Sequence, residues 1–78
     1  VSDETTDLYD LRGLNCPLPV LKTRKRLSSL PDQTELRIWT DDPLALIDVP
    51  NFCREQGHEL LEATAMESGH QFVIRKGA

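Results

Sequence analysis

Two cysteines, two histidines and a pair of adjacent aspartates carry most of the chemistry open to this chain, and one cysteine stands apart by its setting. Cys16 lies in the run Asp10-Leu11-Arg12-Gly13-Leu14-Asn15-Cys16-Pro17-Leu18-Pro19, where a short strand pattern turns at Gly13 into a helix. Pro17 suits the first helical position, because its ring fixes φ and its missing N–H would have no intrahelical partner there. That makes Cys16 the N-cap. A thiolate so placed faces the positive end of the helix dipole and the free N–H groups of the first turn. The expectation is a lowered thiol pKa. At the ordinary value of about 8.5 a few per cent of a thiol is ionised at pH 7, and at about 7 roughly half is. Pro19 removes a second N–H and disfavours the α conformation at Leu18, so the first turn should be stiff and slightly irregular. Such a restrained backbone loses little entropy when a partner docks on it.

Each of these residues also has a plainer reading. A free cysteine is usually a small buried hydrophobe, but Asn15 and the two prolines mark a surface junction, which reads Cys16 as exposed and reactive. Cys53, between Phe52 and Arg54 in a helical stretch, reads as core, with its pKa raised by apolar surroundings. The basic cluster Lys22, Arg24, Lys25 and Arg26 ordinarily complements the helix dipole and solvates its outer face. Its sharper reading is a docking patch for an acidic partner surface that also helps to hold Cys16 as an anion. Asp41-Asp42-Pro43 reads as a helix start with an acidic cap rather than as paired catalytic or metal-binding carboxylates. His58 and His70 read as solvated, and no pair of residues has the spacing of a metal site. Phosphate-cradling glycine loops, a nucleophile elbow and heptad repeats are absent from the sequence.

A small scaffold must position these groups. The 78 residues allow one domain, 1–78, with limited capacity to bury a core. Two cysteines do not make a disulfide framework, and no leader or membrane-length apolar run is expected, so the reading is a cytoplasmic protein with reduced thiols. The net charge of −4 argues against broad nucleic-acid binding. Residues 1–6 are expected to fray. A strand over 8–11 places Tyr9 and Leu11 on one face, and a helix over 17–30 turns Val20, Leu21, Leu27 and Leu30 inward before Pro31 ends it. A strand over 34–40 sets Leu36 and Ile38 against Arg37 and Trp39. Pro50 should split the next apolar pattern into helical pieces over 43–47 and 50–56, stopped by Gly57, with Leu46, Val49, Phe52 and Cys53 inward. Segments 58–67 and 71–76 read as a hairpin about Ser68-Gly69. The order β-α-β-α-β-β predicts an α/β (α+β) two-layer sandwich with parallel pairing across the strand–helix–strand parts.

The Cys-Pro-Leu-Pro run, followed in order by Asp41-Asp42-Pro43, Ile47-Asp48-Val49-Pro50-Asn51-Phe52, Gly57-His58-Glu59 and Ile74-Arg75-Lys76, resembles the TusA family of small sulfur carriers. The resemblance implies a four-stranded mixed sheet with two helices on one face. It further implies a sulfurtransferase acting as a persulfide relay, in which Cys16 takes a sulfane sulfur from a cysteine desulfurase and hands it to a thiol of a downstream relay protein. Gly13, Pro17 and Pro19 then shape the motif. No cofactor is bound, since the pyridoxal phosphate belongs to the donor. Destinations implied by the family are 2-thiouridine in tRNA, molybdenum-cofactor enzymes or sulfur oxidation. Leu18 departs from the acidic residue of some tRNA-thiolating members, which counts against tRNA as the destination. The competing reading is a non-catalytic protein- or RNA-binding module, with Cys-Pro-Leu-Pro as a structural helix cap.

Overall fold

The computed structural model describes residues 6–77, in the order β1 (Thr6–Asp10), α1 (Leu18–Ser28), β2 (Glu35–Thr40), α2 (Ala45–Gln56), β3 (Glu59–Met66) and β4 (Gly69–Arg75). The sheet runs β1-β2-β4-β3. β1 pairs parallel with β2, while β4 pairs antiparallel with both β2 and β3. This is the expected α+β fold with a four-stranded mixed sheet. The frayed segment expected over 1–6 lies outside the described residues except for Thr6, which already belongs to β1.

Alternation explains β2. Leu36, Ile38 and Thr40 are buried while Glu35, Arg37 and Trp39 are half-buried, the signature of a strand with one face on the core. Phe72 and Ile74 of β4 continue that face, and Leu27 of α1 with Ala45, Val49, Phe52 and Cys53 of α2 cover it. Both helices therefore lie on one side of the sheet. Each of the large apolar side chains fully withdrawn from water there contributes roughly 1.5–3 kcal/mol. On the other face Trp39 packs as expected of a sheet residue, its Nε1–H donating to Gln71 Oε1 at 3.0 Å under the Arg12 guanidinium.

Several boundaries differ from the expected ones: β1 is Thr6–Asp10 rather than 8–11, and α2 begins at Ala45 rather than at Pro43. α1 begins one residue later, with Pro17 at the cap position, and its buried row is Pro19, Thr23 and Leu27. That row is spaced by four residues and rotates the helix so that Leu21 is half exposed, while Val20 and Leu30 keep their packing against the core. α2 runs unbroken through Pro50. The bond that Pro50 cannot make would go to the carbonyl of exposed Leu46, where water can serve, and Val49, Phe52 and Cys53 anchor the helix on both sides of it. Leu46 thus points outward and Ala45 takes the inward place. In the hairpin, Met66 pairs with Gly69 across Glu67 and Ser68, so Gly69 opens β4 rather than sitting in the turn. Gly69 has φ +121°, and a Cβ there would stand 2.1 Å from the Thr40 carbonyl oxygen, so no other residue fits without moving β2. α2 does stop at Gly57, whose N–H bonds to the Cys53 carbonyl.

Candidate functional site

The parallel pairing of β1 and β2 decides where the site forms. Their carboxyl ends emerge side by side, so the loop that carries Cys16 leaves the sheet next to Asp41 and Asp42. Gly13, at φ +91°, turns the chain and donates its N–H to Asp41 Oδ1 at 2.9 Å. Asp42 braces both connections at once: Oδ2 accepts the Cys16 N–H at 2.5 Å and Oδ1 accepts the Leu44 N–H at 3.0 Å. The sequence reads the two aspartates as helix caps, but α2 begins at Ala45 with Leu44 at the cap and no side-chain capping bond. Asp41 and Asp42 instead hold the cysteine loop, and Asp42 also ties the turn before α2. The peptide bond from Cys16 to Pro17 is cis.

Cys16 is exposed, in agreement with the sequence. Its electrostatic setting is the reverse of the expected one. The thiol does not cap α1, which has Pro17 at the cap and no side-chain capping bond. Instead Sγ–H donates to Asp48 Oδ2 at 2.7 Å, from the first turns of α2. That hydrogen bond pushes the thiol pKa up, and partial desolvation and the charges of Asp48 and Asp42 add to it. The helix-dipole argument fails because Pro17 and Pro19 remove two of the donors it needs, and the Leu18 N–H turns to the Asn15 carbonyl at 2.8 Å.

A groove of about 410 Å³ opens beside Cys16 between the two helices, with Val20 and Phe52 among its apolar walls and Asp48, Arg24 and Glu55 among its charged ones. The basic cluster splits. Arg24 lines this groove, whereas Lys22, Lys25 and Arg26 line a different hollow with Tyr9 and Ser29. Arg26 stacks over the Tyr9 ring at 4.9 Å, and Lys25 and Arg26 stand in the last turn of α1, where the dipole favours cations. The charges that act on the Cys16 thiol are carboxylates, so the cluster does not hold it as an anion.

Cys53 is 2% exposed in the apolar core, and burial pushes its pKa up to about 11. His58 is not solvated as expected: its ring packs against Phe52, its Nδ1 accepts the Gly77 N–H at 3.0 Å, and desolvation and then Lys76 lower its pKa. Among the described residues no three His, Cys, Asp or Glu side chains converge as a metal site, and no helix is long and apolar enough to cross a membrane. Asp48 is the residue that sequence reasoning missed. The available signal was a carboxylate in the early turns of a helix that starts beside the loop of Cys16.

Comparison with known families finds that the model described as Sulfurtransferase TusA matches residues 8–76. The chain belongs to the TusA family. The match runs from within β1 to the end of β4, so the sulfur-carrier role attaches to the fold rather than to the short cysteine motif alone. Of the two cysteines, Cys16 is exposed and Cys53 buried.

Proposed function

We propose that Cys16 is the sulfur-carrying atom, taking sulfane sulfur as a persulfide from a cysteine desulfurase and relaying it to a thiol of a downstream protein. The observation that carries this reading is an exposed Sγ at the mouth of a groove, fixed by hydrogen bonds through both its thiol and its backbone N–H. In the loading step the Cys16 thiolate attacks the terminal sulfur of the donor persulfide. A sulfur–sulfur bond forms at Sγ, the donor's own breaks, and the donor cysteine leaves as thiolate and recovers a proton. In the delivery step the acceptor thiolate attacks the same terminal sulfur and Cys16 leaves in turn. The pair of exchanges consumes no oxidant, and no group need be bound to this chain, because pyridoxal phosphate stays with the donor.

The surface around Sγ supports protein partners. Leu18, Leu21, Leu44, Leu46 and Ile47 are five of the seven large hydrophobic residues exposed among the described residues, and all belong to the early turns of the two helices or the turn before α2. Acidic composition favours protein over nucleic acid at this face, with tRNA 2-thiouridine or a sulfurated cofactor as the end of the route and the cytoplasm as its place. The alternative reading, a binding module with Cys-Pro-Leu-Pro as a structural start to α1, expects no sulfur uptake at Cys16. The test is intact-mass analysis after incubation with a cysteine desulfurase and cysteine. The wild type gains one sulfur that a reductant removes, and Cys16→Ser gains none. Uptake that survives in Cys16→Ser overturns the assignment.

A further inference from the structure

Ionising Cys16 costs more than ionising an ordinary thiol for a reason that a second molecule can remove. The thiol would lose its bond to Asp48 Oδ2 and become an anion beside that carboxylate and within the field of Asp42. Among the described residues no cation is ion-paired with either aspartate. Arg24 on the α1 side and Glu55 on the α2 side line the groove, and neither is ion-paired among the described residues. Lys22, Lys25 and Arg26 line a separate hollow. Arg24 is thus the one cation among the residues lining the groove, and at rest it is not ion-paired with Asp48 or Asp42, so neither carboxylate beside the thiol is neutralised by a salt bridge.

We infer that Asp48 is a positioning residue that restrains the Cys16 sulfur and makes its exchange selective for sulfur compounds or protein segments carrying a cationic group beside the reacting sulfur. The inference rests on Cys16 being the reactive sulfur. A cation arriving with the partner pairs with Asp48, releases the thiol from its hydrogen bond and stabilises the thiolate as it forms. As Sγ attacks, one sulfur–sulfur bond forms and one breaks, the electron pair leaves with the departing sulfur, and the proton given up by Cys16 ends on that thiolate. Neutral and anionic compounds meet the restraint unrelieved. The partner face so defined is apolar with a lysine or arginine next to its cysteine, matching the exposed leucines of the two helix starts.

Three symmetrical disulfides test this on the full chain without any persulfide: cystamine with its ammonium groups, neutral 2-hydroxyethyl disulfide, and anionic 3,3′-dithiodipropionate. The rate of mixed-disulfide formation at Cys16 is followed by mass, for wild type, Asp48→Asn and Asp48→Glu at neutral pH and low salt. The ratio of the cystamine rate to the dithiodipropionate rate is expected to fall about fivefold in Asp48→Asn, as for loss of one exposed ion pair. Asp48→Glu keeps the ratio. Because leaving-group acidity is the same for every variant, the change in ratio reports charge at residue 48 alone. In the wild type, added salt shrinks the ratio as screening sets in, a readout that needs no variant to fold. A ratio equal in wild type and Asp48→Asn, or indifferent to salt, overturns the inference. Sulfur loading without charge selectivity sinks this inference alone, and charge selectivity without loading sinks the relay reading alone.

Discussion

Cys16 and Cys53 are both held as thiols above the ordinary cysteine value, for opposite physical reasons. Around Cys53 the cause is the core itself: Val49, Phe52, Phe72 and their neighbours exclude water, and nothing short of opening the fold restores it. At Cys16 the cause is led by one carboxylate in contact with solvent. The difference teaches that a resting pKa says little about use. What matters is whether the perturbing group can be neutralised by something that docks.

The largest effect that could break this contrast is in alkylation of the folded protein. Iodoacetamide at neutral pH should modify Cys16 directly, and Cys53 only through opening of α2, with a rate ratio on the order of a thousandfold or more. Peptide mapping after timed quenching measures it. Comparable labelling of the two would mean that α2 does not close over the core as described. A middling effect lies in stability. Cys53→Ser puts a hydroxyl into apolar surroundings and should cost about 1–3 kcal/mol in a urea titration, whereas Cys16→Ser, exposed and still able to donate to Asp48, should stay within about 0.5 kcal/mol. Equal losses would remove the distinction between core thiol and surface thiol.

Much of the scaffold was legible because it is written locally. The alternation from Glu35 to Thr40, the stop at Gly57 and the turn before β4 each follow from neighbours in sequence, and they fix the sheet that brings two strand ends together. The position of Cys16 at the surface was legible for the same reason. Its pKa was not. The cap argument counted only the helix that follows Cys16, while the groups that act on the thiol, Asp42 and Asp48, lie 26 and 32 residues away and meet it only because β1 and β2 run parallel. Pro50 misled for a related reason, since the burial that carries α2 through it depends on β2 and β4. The TusA likeness located the cysteine without describing the carboxylate that restrains it.

The smallest effect concerns alkaline pH, and there the two thiols can be separated by sign and window. Cys53 holds its proton up to about pH 11 in the folded state against 9.0 as an ordinary thiol. Between those values the unfolded chain has lost a proton that the folded chain keeps, so stability falls as pH rises through 9 and levels once the folded thiol also ionises near 11. Cys16 contributes a fall of the same sign beginning in the same region, but led by Asp48 rather than by burial. Urea midpoints followed from pH 8 to 11 should therefore decline less steeply in Cys53→Ala than in wild type, because the replaced thiol no longer contributes. Asp48→Asn should relieve only the share due to Cys16, leaving the steeper portion in place. A Cys53→Ala slope identical to wild type would show that the core thiol ionises as freely folded as unfolded, against its place on the buried face of α2.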